Sequence, residues 1–418
     1  MARSKILALK ILVPILSIAI LIVALEVWLA IAQINTKSFD RYVPGKGITY
    51  LPGAYYRHTK EGFSEGYINS HGFRDYERTY NKPANSFRIL ILGDSYVEAL
   101  QVSLENAFPA LLEKKLNENS TKTTFEVLNL GHSGFGTADA YMRYLNFGIH
   151  YSPDLVLLAF LTGNDIRDNS KFLSQGSLAY YFVYDEKGRL QLDQSLFKEY
   201  DKGQTFSRQV FQYIKRRSYL ATLISERLYL LRLKLRERSF VSRLAELGQS
   251  GSQPRLDVFS PLNIYLSNPG DRWNEAFAVT KGLLRQFRDD VEGNGGRFVL
   301  VTLSNAEQVH PEVQAKLTKD FGIAFDFERP DRIIAEFAAK EQITHLELMP
   351  LFRDHHVRTG NYLHGFGGSK GGHWNENGHR LAAEKIFKFL TEKHLLSSEH
   401  SEAVTKNHIL DEVSYARN

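Results

Sequence analysis

Five short apolar runs alternate with amphipathic stretches from Phe87 onward, and this alternation constrains the fold more than any other feature of the sequence. Each run is continuously apolar, which is typical of a strand that is covered on both faces. Repetition of strand and helix predicts a parallel sheet with right-handed crossovers, and therefore an α/β fold. The predicted strands are Phe87–Gly93, Phe125–Gly131, Asp154–Leu161, Arg297–Leu303 and Thr344–Phe352, and the predicted helices are Ala107–Asn117, Thr137–Phe147, Trp273–Val291, Arg332–Lys340 and His379–Leu396.

About a hundred residues, from Asp165 to Arg272, interrupt the alternation. They contain a predicted β-hairpin that turns at Lys187-Gly188, a basic segment and a linker rich in Gly, Ser and Pro. The basic segment, Phe206–Arg243, holds ten Lys or Arg and two acidic residues, so its net charge is +8 and the rest of the chain sums to −3. We expect a helical insertion that forms a solvated cap. Contact with anionic headgroups or an anionic polymer is the alternative.

The N-terminus combines three basic residues with a long apolar run. The run spans a bilayer either as Ile11–Ile34, with Glu26 inside, or as Ile6–Leu25, which we favour because it buries no carboxylate. It exceeds the usual signal-peptide core, so an uncleaved anchor is predicted and a cleaved signal peptide is the alternative. Basic residues before the span predict a cytoplasmic N-terminus and an exported body, on a single pass through the inner or plasma membrane.

These patterns predict four regions: an anchor at 1–36, a lead-in segment at 37–84, a main domain at 85–396 with an insertion at 170–271, and a loose tail at 397–418. The sequence has no Cys, which excludes disulfides, Cys-ligated zinc and a cysteine nucleophile. A formal charge of +5 is too small to indicate nucleic-acid binding. Neither a cofactor nor a metal ion is expected.

Four polar or small residues follow four of the predicted strands. Ser95 follows the first strand in a Gly-Asp-Ser turn, Gly134 follows the second in a glycine-rich loop, and Asn164 follows the third in a Gly-Asn-Asp turn. His373 lies in a glycine-rich loop after the fifth strand. Ligands of parallel sheets bind beyond the carboxyl ends of the strands. The pattern therefore predicts one site with a nucleophile, a base and two oxyanion donors.

These four blocks resemble those of the SGNH hydrolases, also called the GDSL esterase/lipase family. The string INSHGFRD (Ile68–Asp75) is similar to the N-x-x-G-F-R-D lead-in of membrane-anchored bacterial members, and the resemblance extends from about Asn69 to Leu390. The family fold is a flavodoxin-like, three-layer α/β/α sandwich, which agrees with the five predicted parallel strands.

The resemblance implies acyl transfer through a covalent ester. Ser95 would be the nucleophile and His373 the base. The oxyanion would be bound by the backbone N–H groups of Ser95 and Gly134 and by the Asn164 side chain. Trp374 and Asn375 are expected to hold the loop around His373.

The acidic residue that usually completes a Ser–His–acid catalytic triad in this family is missing from its usual place. The family carries an Asp two or three residues before the catalytic His, where this chain has Gly371 and Lys370. Asp354 and Glu347, near the fifth strand, are candidates for a relocated acid. The alternative is that a backbone carbonyl orients His373, which would leave a Ser–His dyad.

Three functions remain open on the sequence. An exported, membrane-anchored esterase acting on an acylated carbohydrate or lipid is the leading hypothesis. The second is an O-acyltransferase for a cell-surface polysaccharide. The third is a non-catalytic binding or assembly subunit that retains the fold. The missing acid favours the third hypothesis, whereas the four intact residues favour the first two.

Overall fold

The computed structural model describes residues 2–33, 35–246 and 256–397 of the chain. The predicted linker at 248–254 lies outside these residues, and so does the predicted tail at 397–418 except for its first residue. The chain divides into two compact units. The first comprises Met1–Asp40, Tyr55–Arg57 and Lys202–Ser252, and the second comprises Arg41–Ala54, His58–Asp201 and Gln253–Asn418.

The described strands and helices follow in chain order. The strands are β1 (Asp40–Val43), β2 (Gly47–Tyr50), β3 (Tyr55–His58), β4 (Ser64–Tyr67), β5 (Ser86–Leu92), β6 (Thr124–Asn129), β7 (Leu155–Leu161), β8 (Tyr181–Tyr184), β9 (Leu190–Asp193), β10 (Arg297–Leu303) and β11 (Thr344–Glu347). The helices are α1 (Ala2–Ala32), α2 (Ser95–Glu98), α3 (Phe108–Glu118), α4 (Thr137–Asn146), α5 (Asp165–Asp168), α6 (Ser195–Lys202), α7 (Phe206–Lys215), α8 (Tyr219–Glu246), α9 (Asp271–Gly293), α10 (Ala306–Val309), α11 (Pro311–Phe321), α12 (Arg329–Lys340), α13 (Met349–Thr359) and α14 (Glu376–Glu392).

The second unit contains the predicted parallel sheet. Its five strands are arranged in the order β11-β10-β7-β5-β6, and every neighbouring pair is parallel. In the register, Leu157 of β7 lies between Ile91 of β5 and Val299 of β10. The carboxyl ends of the strands therefore meet at one edge, as the α/β prediction requires.

Apolar side chains cover both faces of this sheet. On one face, Leu90 and Leu158 pack with Phe287 of α9 in one hydrophobic cluster. On the other face, Ile91 and Leu157 pack in a second cluster with residues of α3, α13 and α14. Because successive strand residues point to opposite faces, continuous apolar strands are what a three-layer sandwich needs. The predicted fold class is confirmed.

The fifth strand is shorter than predicted. It ends at Glu347, and the chain enters α13 at Met349, with Pro350 in the first helical turn. Proline has no N–H to donate to a sheet but fits the first turn of a helix, which is why the predicted strand to Phe352 was wrong. The predicted hairpin is present as the antiparallel pair β8–β9, with Gly188 at φ 71° in its turn.

The first unit contains α1, α7 and α8. Within α1, Leu9–Ala32 is long and apolar enough to cross a membrane, and it is the only such helix among the described residues. This span includes Glu26, which the favoured framing of the sequence had left outside. The Glu26 carboxylate accepts hydrogen bonds from the backbone N–H groups of Tyr219 (2.6 Å) and Leu220 (3.0 Å), so it caps the start of α8.

Candidate active site

Ser95 lies at the turn that follows β5. A Cβ atom at Gly93 would be 2.6 Å from the carbonyl oxygen of Ala159, so only glycine fits the approach to the turn. The Asp94 side chain accepts a hydrogen bond from Tyr96 N–H at 2.9 Å and caps α2. This helix is a single turn that ends at Ala99 in the left-handed conformation (φ 57°), so the helix dipole at Ser95 is small.

His373 lies within hydrogen-bond distance of Ser95. The Ser95 Oγ atom is 2.7 Å from His373 Nε2, although 278 positions separate the two residues in the chain. Trp374 is fully buried and donates its indole N–H to Ser304 Oγ at 3.3 Å. Asn375 caps α14 through its side-chain oxygen. Trp374 and Asn375 therefore hold the loop, as expected.

The other ring nitrogen of His373 contacts a residue that the sequence analysis did not consider. His373 Nδ1 is 2.6 Å from Glu61 Oε2, and the backbone N–H of His373 donates to Glu61 Oε1 at 2.7 Å. Glu61 and His373 are about equally exposed, at 27% and 28% of their side-chain surface. The three side chains thus form a continuous Ser95–His373–Glu61 chain of contacts.

Both sequence candidates for the acid were wrong. Asp354 is exposed and forms an ion pair with Arg358 on the same helix, at 2.8 Å. Glu347 lies on the edge strand β11, where burial raises the pKa of its carboxyl group. Neither contacts His373, and no backbone carbonyl takes the place of an acid at Nδ1, because Glu61 occupies it.

Two adjacent glycines in the His373 loop have different environments. Gly372 has a φ of +99°, and a Cβ atom there would lie 2.1 Å from Glu61 Oε1. A Cβ atom at Gly371 would have nothing within 4 Å. Gly372 is therefore required for the contact with Glu61, whereas Gly371 is not.

The lead-in segment holds Glu61 against the turn that carries Ser95, which is called the nucleophile turn below. The backbone N–H of Phe63 donates to the Gln101 carbonyl at 3.1 Å. Arg74, in the N-x-x-G-F-R-D string, is buried and donates to the carbonyls of Glu98 (2.7 Å) and Val102 (2.6 Å). The candidates for the acid that the sequence indicated, by contrast, both lie near the fifth strand. The string could have pointed to Glu61, because it attaches the preceding chain to the segment after Ser95.

Gly134 lies in the loop after β6, which is fastened to the same turn. His132 N–H donates to the Gly93 carbonyl at 3.1 Å. Gly134 itself has a φ of +80° with open space at its Cβ position, and it lines a pocket together with Phe135 and Lys46. The conformation and the open space make its backbone accessible to a ligand.

Asn164 lies after β7 and is also attached to the nucleophile turn. Its Nδ2 atom donates to Asp94 Oδ2 at 3.1 Å. Asp165, which follows it, accepts a hydrogen bond from Leu161 N–H at 3.2 Å and thereby closes the turn. Burial raises the pKa of Asp94 to about 6 and raises the pKa of Asp165 well above its ordinary value. The structure therefore attaches the segments of all four predicted residues to one turn.

Comparison with known proteins gives similar structures but no sequence relatives. No family model matches the chain, and no curated protein matches it. Similar solved structures include the acetyl xylan esterase AlAXEase (11% identity, 72% of this chain and 98% of that chain, TM-score 0.38) and TesA (14%, 74% and 99%, 0.37). Another is a lipolytic protein of the G-D-S-L family from Desulfitobacterium hafniense (13%, 72% and 99%, 0.34).

The last of these comes from the family that the four sequence blocks resemble. TM-scores of 0.34 to 0.38 are nevertheless too low to carry an argument about relationship or activity. This chain's own strand order and interatomic distances therefore carry the argument for its fold and its site.

Proposed function

We propose that the protein is a serine esterase that acts by acyl transfer through Ser95. The observation that carries this proposal is the chain of contacts from Ser95 Oγ to His373 Nε2 (2.7 Å) and from His373 Nδ1 to Glu61 Oε2 (2.6 Å). A nucleophile, a base and an acid that orients the base are the three parts of a catalytic triad, which is defined by geometry and not by chain order.

The reaction begins with attack of Ser95 Oγ on the ester carbonyl. His373 Nε2 takes the serine proton, and the Glu61 carboxylate stabilises the imidazolium while it accepts the Nδ1–H hydrogen bond. The tetrahedral intermediate expels the alcohol, which receives the proton from His373. Water then attacks the acyl-enzyme by the same route and releases the carboxylic acid.

Three donors are proposed to stabilise the oxyanion. They are the backbone N–H groups of Ser95 and Gly134 and the second Nδ2 hydrogen of Asn164, whose first hydrogen is directed at Asp94. Such donors contribute about 3 kcal/mol each in related enzymes. Asp94 positions both Asn164 and the backbone of Tyr96, which is why it is more than a turn residue.

The substrate is proposed to be an acylated carbohydrate or lipid outside the cytoplasm, with the enzyme anchored by α1. The apolar span Leu9–Ala32 and the basic residues that precede it support an anchor with an exported body. The pocket beside Gly134, with Phe135, Phe197 and Leu178 in its wall, is a candidate for binding the group next to the ester carbonyl.

Labelling with a serine-directed fluorophosphonate tests the proposal. The full chain in detergent should be labelled once and should hydrolyse a model acetyl ester, and Ser95→Ala should do neither. Acetylated oligosaccharides and acylglycerols, compared as substrates, identify the class. Absence of both labelling and hydrolysis in the intact protein would falsify the esterase assignment.

A further inference from the structure

A second group of potential ligands lies outside the Ser95–His373–Glu61 chain. His310 lies between α10 and α11, Glu312 lies in the first turn of α11, and His356 lies on α13. One ligand atom from each of the three side chains lies within 4.8 Å of the other two. His310 and His356 are 0% and 8% exposed, whereas 39% of the Glu312 side chain is exposed. Two imidazoles are thus buried beneath a carboxylate at the rim.

The hydrogen bonds of His364 determine the tautomer of His310. His364 Nε2 is 2.9 Å from the Ser304 carbonyl, which can only accept, so this nitrogen carries the hydrogen. In a neutral imidazole the nitrogen without the hydrogen is an acceptor, so His364 Nδ1 accepts. His310 Nε2, at 3.2 Å from this Nδ1, must therefore be the donor.

This arrangement leaves a lone pair on His310 Nδ1. The Nδ1 atom is buried and has no hydrogen-bond partner among the described residues. A buried polar atom without a partner is costly and rare in native structures, and a bound cation removes that cost.

The other two side chains are also ready to donate lone pairs. His356 Nδ1 donates to the Asn361 carbonyl at 2.9 Å, which leaves a lone pair on Nε2, at 3.9 Å from Glu312 Oε2. The Glu312 carboxylate accepts a hydrogen bond from the Tyr362 hydroxyl, and a hydrogen bond to the charged form stabilises it. In known metal sites, ligating histidines likewise donate their second N–H to a carbonyl or another acceptor.

We propose that His310 Nδ1, His356 Nε2 and a Glu312 carboxylate oxygen bind one Zn²⁺ ion. Two imidazoles and one carboxylate are a common zinc ligand set, and imidazole nitrogen disfavours Mg²⁺ and Ca²⁺. The partial exposure of Glu312 leaves a fourth position for water. Sequence spacing did not predict this site, because its ligands come from separate elements.

Bound Zn²⁺ would brace the loop that carries His373. His364, which accepts from His310, forms an isolated bridge with Trp374, and Gly365 N–H donates to the His373 carbonyl at 2.9 Å. The ion would therefore fix His310, His364 and the segment beside His373 without contacting the substrate. One group opposes it: Lys370 Nζ is 3.5 Å from Glu312 Oε1, and this half-exposed cation must move aside.

Isothermal titration of the detergent-solubilised full chain with Zn²⁺, after removal of metals by a chelator, tests the site. We expect one ion per chain. His356→Gln and Glu312→Gln should each weaken binding about 100-fold or more. His355→Gln is the matched control, because it changes the neighbouring histidine of the same helix and should bind like the wild type.

Two further measurements cover the case in which a buried-histidine variant fails to fold. Lys370→Gln, at an exposed position, should tighten Zn²⁺ binding several-fold by removing a nearby positive charge. Co²⁺ bound to the wild-type chain should give visible d–d absorption bands, and Glu312→Gln should remove them. The proposal is overturned by no saturable binding, by equal weakening in His355→Gln and His356→Gln, or by weaker Zn²⁺ binding in Lys370→Gln.

Discussion

His373 and His310 differ in how their two ring nitrogens are satisfied. His373 is partly exposed and has a partner on each nitrogen, Ser95 on one side and Glu61 on the other. His310 is fully buried and has a partner on Nε2 only. A ring held between a hydroxyl and a carboxylate can pass a proton, whereas a buried lone pair without a donor suits a cation. The same residue type thus has two chemistries, set by its neighbours.

Removal of the Ser95 hydroxyl, which contacts His373 Nε2, should have the largest effect. Ser95→Ala should lower ester hydrolysis by about four orders of magnitude or more and abolish fluorophosphonate labelling. Thermal stability should stay unchanged, because the hydroxyl of a turn serine contributes little packing. Ser86→Ala, at the opposite end of β5, is the control and should retain activity. Equal labelling of Ser95→Ala and the wild type would show that His373 serves a different nucleophile.

Removing the charge at His373 Nδ1 should have the next largest effect. Glu61→Gln should lower kcat by roughly 10³- to 10⁴-fold, because an amide can neither fix the tautomer nor stabilise the imidazolium as a carboxylate does. Steady-state hydrolysis of a model ester measures it. Asp354→Asn and Glu347→Gln serve as matched controls and should retain wild-type kcat. If Asp354→Asn alone were inactive, Glu61 would not be the acid.

The glycine pair tests the same contact by steric means. Gly372→Ala places a Cβ atom 2.1 Å from Glu61 Oε1 and should lower kcat by about 10- to 100-fold, since small displacements of catalytic groups are costly. Gly371→Ala meets open space and should behave like the wild type. Parallel kinetics of the two variants give the comparison. Equal kcat values would mean that Glu61 and His373 separate without consequence.

The smallest expected effect tests whether the two histidine sites are independent. Treatment with a chelator should change ester turnover by no more than about twofold, because the Ser–His–Glu chain needs no metal ion. It should lower the midpoint of thermal unfolding, since a ligand that binds only the folded state stabilises it. Turnover and thermal unfolding are measured on the same sample. Complete loss of activity on chelation would instead place the metal in the reaction itself.

The fold class and the positions that converge on the nucleophile turn could be predicted from the amino-acid sequence alone. Continuous apolar strands such as Leu155–Leu161 specify a sheet buried on both faces. Asp94 specifies the start of the helix at Ser95, because a side chain that caps the N–H of a neighbouring residue is a local requirement. Such features depend on neighbouring residues and are therefore visible in the linear pattern. The error at the fifth strand was also local, since Pro350 marked the helix start.

The groups that surround the two histidines could not be predicted from the sequence, because long-range packing brings them together. Glu61 and His373 are 312 positions apart, and their contact depends on how the lead-in segment packs beside the segment after Ser95. His310 and His356 likewise meet because α13 packs beside α10. The position of a carboxylate or an imidazole in the sequence follows no periodic pattern from which its partner could be predicted. Its role is set by burial and by the atoms that long-range packing brings within about 3 Å, the distance over which hydrogen bonds act.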